Sequence, residues 1–129
     1  MGKLGFVSGS DGTSEILLQV KAQVSQTRLM RAGIAAVVRQ RISEREVDEL
    51  CCVVDEALTM LLACPAVEDV WLKTRFLLSS DHFQIEISRS DEAEMPSEEV
   101  DKFKQTTASA SVAVSVKPQQ SWVSLTKQA

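Results

Sequence analysis

"SEREVDELCCVVDEALTMLL", residues 43–62, decides how the chain is read. Ser43 and Glu46 form an S-x-x-E capping box, in which each side chain satisfies a backbone N–H at a helix start. From there Val47, Leu50, Cys51, Val54, Leu58, Leu61 and Leu62 trace one stripe at the 3.6-residue period, and Pro65 marks the stop. At about 100° per residue, Glu56 points roughly opposite the centre of that stripe, with Glu49, Cys52 and Met60 on its side and Asp55 at the flank. On an ordinary surface helix that side is uniformly polar. Here Cys52, Val53 and Met60 make it mixed, so the pattern predicts a cover over it: another element, a ligand or a partner chain.

Upstream, residues 1 to 14 are rich in Gly and Ser without periodicity and read as a flexible tail. "EILLQVKAQ" (15–23) reads as a first strand. Residues 25–41 read as a helix capped at Ser25, with Leu29, Ala32, Ala36 and Val37 at helical spacing and Arg28, Arg31 and Arg39 left to face water or a partner. Gly33 weakens that helix by about 1 kcal/mol relative to alanine.

Downstream, residues 69–80 and 82–90 alternate, with Val70, Leu72, Phe76 and Leu78 on one face of the first and Phe83, Ile85 and Ile87 on one face of the second. The short link between them makes a hairpin. An acidic loop follows, then a short helix opening at Pro96, Ser97, Glu98 and Glu99. Residues 110–128 alternate again around a break at Lys117 to Gln120 and read as two closing strands. The expected fold is α+β: a two-layer sandwich over residues 15–129, a single domain with helices packed on one face of a mixed or antiparallel sheet.

Composition narrows the partners. A chain of 129 residues with 44% hydrophobic content supports one sizeable core. Net charge is -4 and the pI about 5.0, which argues against direct nucleic-acid binding, since that needs a basic field. No apolar run reaches the roughly 18 residues of a membrane span, and "MGKLGFVSGSDGTS" lacks the apolar core of a secretory signal. A soluble, cytoplasmic protein is expected, with no membrane partner. Cys51, Cys52 and Cys64 make neither a disulfide framework nor a metal knuckle and read as buried thiols. His82 reads as a surface turn residue, and no metal site is expected.

The order of elements, together with residues 43–62, resembles the anti-sigma-factor serine kinases, small members of the GHKL (histidine-kinase-like, Bergerat-type) ATPase superfamily. In that family the second helix carries a V-x-E-A-x-x-N signature, matched here by Val54, Glu56, Ala57 and Met60. The resemblance implies that Glu56 corresponds to the glutamate that activates water or a substrate hydroxyl. It places Met60 where an asparagine would hold magnesium, a hard ion for which a thioether is a poor ligand. A second family box, D-x-G-x-G, finds Asp91 for its adenine-contacting aspartate, but Ala93 and Met95 stand for the glycines. No glycine follows Gly33, so the glycine-rich lid that would wrap a triphosphate has no counterpart. Five acidic residues of the 91–99 region would also face a polyphosphate.

Arg31 matches the helix-one arginine through which these proteins hold an acidic residue of their sigma factor, and Arg28 extends the basic patch. The resemblance therefore implies a divergent, homodimeric anti-sigma factor that sequesters a sigma factor sterically and is released by a STAS-domain anti-anti-sigma protein. The alternative is an active serine kinase that uses Mg-ATP to phosphorylate the STAS partner. Cofactors are expected to be none, with ATP and magnesium the exception that this alternative requires.

Overall fold

The computed structural model describes residues 3–8, 14–67 and 69–128. β1 (Lys3–Ser8) and β2 (Ser14–Lys21) lead through a 3-10 turn into α1 (Thr27–Val38) and α2 (Glu44–Leu61). β3 (Trp71–Leu78) and β4 (His82–Arg89) form the expected hairpin, α3 (Ser97–Thr107) follows, and β5 (Ala113–Lys117) and β6 (Trp122–Gln128) close the chain around a 3-10 turn at Pro118–Gln120. The strands form one antiparallel sheet in the order β1-β2-β3-β4-β6-β5. No helix among the described residues is long and apolar enough to cross a membrane.

The first fourteen residues differ from the expected tail, because Lys3–Ser8 pairs with β2 in register Lys3↔Gln19 to Ser8↔Ser14. Residues 1–2 and 9–13 lie outside the described residues.

Alternation assigns the two sides of the sheet. Leu72, Thr74 and Phe76 of β3, Phe83, Ile85 and Ile87 of β4, and Val123 and Leu125 of β6 are buried under the helices, while their neighbours in sequence face the other way. This is an α+β two-layer arrangement with an antiparallel sheet.

The start of α2 is the capping box read from the sequence: Ser43 Oγ accepts from the Glu46 amide at 3.3 Å, and Glu46 Oε1 accepts from the Ser43 amide at 3.2 Å. Every predicted stripe residue of α2 is buried except Leu62, which is half-buried. Val53, Ala57 and Met60 are buried as well, because α2 packs against α1 on one side and α3 on the other, with the sheet beneath. α1 turns a different face inward than predicted. Met30, Ile34 and Val38 are fully buried, whereas Leu29 is 47% exposed and Ala32 and Ala36 face solvent. Both sets keep helical spacing, and the set with the larger side chains removes more apolar area from water. Gly33 has its reason here: a Cβ at that position would stand 2.5 Å from Leu18 Cδ2, so the missing side chain lets α1 approach β2.

Two cations from the sheet hold α2 at its ends. At the C-terminal end the Arg89 side chain is fully buried; Nη1 donates to the Leu61 carbonyl at 2.7 Å and also to that of Cys64. Its Nε and Nη2 donate to Asp91 Oδ1 and Oδ2 at 3.0 and 2.8 Å. A guanidinium suits both tasks, binding a carboxylate as a fork and filling carbonyls left open by a helix end. Toward the N-terminal end, buried Lys127 Nζ lies 3.2 Å from Glu46 Oε2 and donates to Ser111 Oγ at 2.7 Å. The Ser111 amide in turn donates to Glu49 Oε1 at 3.0 Å.

Replacement Arg89→Met removes the cation while leaving carbonyls and a carboxylate behind it. The expected loss is about 3 kcal/mol or more in urea unfolding. A loss under about 1 kcal/mol would show that the C-terminal tie is not structural.

Candidate functional site

The residues that the family resemblance assigns to chemistry cluster around α2, and their surroundings are set by how α2 is packed. Its exposed ridge runs along Asp48, Cys52, Asp55, Thr59 and Ala63. This corrects the geometry read from the stripe alone. Asp55 stands on the outer ridge, whereas Glu56 leans toward α3 and is half-buried. Met60 does not share an open side with Glu56; it is 1% exposed and belongs to the core.

The cover predicted for the mixed side of α2 is α3 and the loop behind it. Glu49, Cys52, Val53 and Glu56 face Thr106, Thr107, Ser109 and Ala110 across a cleft of about 230 Å³. Val100 and Phe103 of α3 are buried, and so is Met95, just before that helix. The carboxyl of Glu49 is held below its ordinary range chiefly by the hydrogen bond from the Ser111 hydroxyl. Glu46 is lowered first by the bond from the Ser43 amide and further by Lys127.

Asp91 is engaged by the fold. Both its oxygens meet the Arg89 guanidinium, and the Ala93 amide donates to Oδ1 at 3.3 Å. Its carboxyl lies below the usual carboxylate range, first because of the Arg89 hydrogen bonds.

These surroundings do not fit Mg-ATP. The atom expected to meet magnesium is a sulfur sealed in apolar contacts, and magnesium requires oxygen donors. The cleft beside Glu56 falls below the roughly 300–1,000 Å³ of small-molecule pockets, and its lining carries two carboxylates and no basic residue. No chemical step is derived through nucleotide.

On the other flank of α2 a groove of about 630 Å³ runs between the start of α1 and the start of α3. Val24, Leu58 and Leu62 supply its apolar lining; Asp55, Glu99 and Lys102 supply its charges. Arg31 joins this rim through Asp55, with Nε 3.1 Å from Oδ1 and both side chains about half exposed, at 45% and 50%. Arg28 is exposed one turn earlier and forms no ion pair among the described residues. The structure thus brings Arg28 and Arg31 to the α1 side of α2, Glu56 to the α3 side, and takes Met60 and Asp91 into the scaffold.

Sequence reading passed over Arg89 and Lys127. The signal was present in the alternation: Phe83, Ile85, Ile87 and Arg89 share one parity, as do Val123, Leu125 and Lys127, so each inward row ends on a cation.

Other groups with catalytic residue types are structural. Ser79 Oγ and Asp81 Oδ1 both lie 2.8 Å from the same His82 nitrogen, Nδ1. A relay triad needs the hydroxyl and the carboxylate on opposite ring nitrogens. This group instead stitches the β3–β4 turn, which Arg41 also fastens by donating to the Ser79 carbonyl. The thiols divide by position: Cys51 is buried, and its thiol pKa is pushed up first by that burial; Cys64 is half-buried; Cys52, on a different side of α2 from Cys51, is the exposed one.

Two outcomes follow from these surroundings. Met60→Asn, which introduces the asparagine of the signature that the helix resembles, buries an amide among apolar side chains; it is expected to cost about 2–4 kcal/mol in thermal or urea unfolding without creating affinity for Mg-ATP. Gain of nucleotide binding at unchanged stability would contradict the packing described. Asp91 has its folded pKa depressed, so its contribution is complete above its unfolded value of about 3.9 and drains as pH falls through the lower folded value. The stability difference between the natural chain and Asp91→Asn is therefore expected to be flat from neutrality down to about pH 4 and to shrink in stronger acid. Compared with known proteins, the chain matches no family model, and no curated protein matches it.

Proposed function

We propose that the chain is an anti-sigma factor that acts by binding alone, built on a histidine-kinase-like ATPase scaffold whose nucleotide place has been converted to packing. The observation that carries this reading is the burial of Met60 beneath a helix layer in which α3 closes over the Glu56 side of α2. A catalytic role would require that side to admit a triphosphate and a metal. The strand, two helices, two strands, helix, two strands after β1 also follow the order on which the resemblance rests.

The binding surface in this reading is the α1 flank. Arg31 stands half exposed beside a groove with apolar walls, and Arg28 adds a second cation on the same helix. A carboxylate of the sigma factor would compete with Asp55 for the Arg31 guanidinium, a fork of N–H donors that can hold a carboxylate bidentately. Because the Arg31–Asp55 pair is solvent-exposed, exchanging it for an intermolecular pair costs little folding stability. Release by a STAS-domain protein and homodimerisation belong to the same proposal. The alternative serine-kinase reading draws no support from the closed side of α2.

The test is capture of sigma factors encoded in the same genome, followed by calorimetry on the one retained. Arg31→Glu is expected to weaken capture roughly tenfold or more while changing stability by no more than about 1 kcal/mol; Mg-ATP should leave the affinity unchanged. Equal capture by the variant, failure to retain any sigma factor, or phosphate transfer to a STAS partner would overturn the proposal.

A further inference from the structure

The chain contains two tryptophans, and neither lies in the core. Trp71 and Trp122 are half-buried on the side of the sheet that the helices leave uncovered. Indole joins a broad apolar face to an N–H donor, a combination enriched at binding interfaces.

The strand register places both in a band of cations. Lys21 lies opposite Trp71, and the next row across the sheet reads Gln19, Lys73, Ser88, Trp122, Lys117. These two rows carry three lysines and both tryptophans, with no carboxylate. Carboxylates border the band: in the following row and beyond Arg75 lies 2.6 Å from Glu15 and 3.5 Å from Glu86, Asp69 lines a pocket with Lys21, and Glu94 lines one with Lys117. Glu86 also accepts the Trp122 indole N–H at 3.2 Å, which fixes the ring, and Lys117 Nζ stands 4.4 Å from the ring centroid. Leu17, 42% exposed, and Gln19, Lys73, Ser88 and Trp122 line a groove of about 370 Å³ here, with the paired Arg75 and Glu86 at its side.

The net charge of -4 conceals this band, because the acidic residues concentrate on α2, α3 and the 91–99 segment. Among the described residues Lys21 and Lys73 form no ion pair.

We propose that this uncovered face binds single-stranded nucleic acid. A sheet surface with aromatic side chains accepts unstacked bases, and lysines beside them meet the phosphates as point charges. Trp71 and Trp122 sit two strands and two residues apart, roughly 12 Å by the spacings of a sheet, a span that a strand of two or three bases laid across it can cover. Gln19 and Ser88 between them offer donors and acceptors to base edges. An acidic peptide is the less suited occupant: arginine is the residue that forks onto carboxylates, and the one arginine of this face is already shared between Glu15 and Glu86. The proposal is independent of sigma-factor capture on the α1 flank.

The test is fluorescence titration of the full chain with a short oligothymidine and with its single-stranded RNA counterpart, since both tryptophans lie at the surface in question. Binding is expected to quench tryptophan emission and to weaken by roughly 20-fold when salt is raised fourfold, as three lysine–phosphate contacts on a single strand require. The surface variant Lys73→Glu with Lys117→Glu, which leaves the core untouched, should abolish it. Trp122→Leu should weaken it at least about fivefold, and Arg28→Glu on α1 should leave it unchanged. No binding at low salt, full binding by the double-lysine variant, preference for duplex over single strand, or binding of poly-glutamate in place of the oligonucleotide would each overturn the proposal.

Discussion

A buried guanidinium at the C-terminal end of α2 is the constraint on which the rest of the structure depends. Arg89 joins the last carbonyls of that helix to Asp91 at the start of the acidic loop, and so fixes α2 against the end of β4. Lys127 supplies the complementary tie near the other end through Glu46 and Ser111. Charges and helix ends agree in sign: a cation meets the carbonyl terminus and the first turn of α2 is acidic. With α2 pinned at both ends, α1 and α3 close on its flanks, and an 18-residue helix has nine residues in the core, too many for one face of an ordinary surface helix.

That packing reassigns residues. Met60 and Asp91, which the family resemblance connects with metal and adenine, serve here as a core side chain and as the counter-ion of Arg89. A thioether fills volume where an amide would need partners, and a carboxylate gripped by a buried arginine has both oxygens committed to the scaffold. Glu56 stands at the mouth of a small cleft whose lining also includes the Glu49 carboxylate. What stays open on the molecule are surfaces suited to macromolecules: the α1 flank with its two arginines and the bare face of the sheet with its lysines and indoles.

Much of this was legible in the sequence wherever one strong local signal stood alone. The capping box placed the first residue of α2, and alternation in 69–80 and 82–90 named the hairpin and its buried faces. The α1 face was misjudged because two stripes of helical period coexist, and the winner is decided by bulk: Met30, Ile34 and Val38 outweigh a stripe made largely of alanine. Glu56 and Asp55 were rotated relative to their true positions because a stripe defines one covered side, while α2 has three. The β1 strand carried no alternation strong enough to announce it; its order comes from pairing with β2. Arg89, Lys127 and the tryptophan band depend on which strands lie side by side, and the β4–β6 adjacency joins segments separated by a helix and a strand.

The central claim is that α3 stays packed on the Glu56 side of α2 and leaves there only the small cleft of about 230 Å³. Native-state hydrogen exchange of the α2 and α3 amides, with and without Mg-ATP, reads it directly. The account predicts that the core-facing amides of α3, at Val100 and Phe103, open only with the same free energy as those of α2, and that nucleotide changes neither. Exchange of α3 at near-unfolded rates while α2 stays protected, or protection that rises when Mg-ATP is added, would show a mobile cover over a working pocket and contradict it.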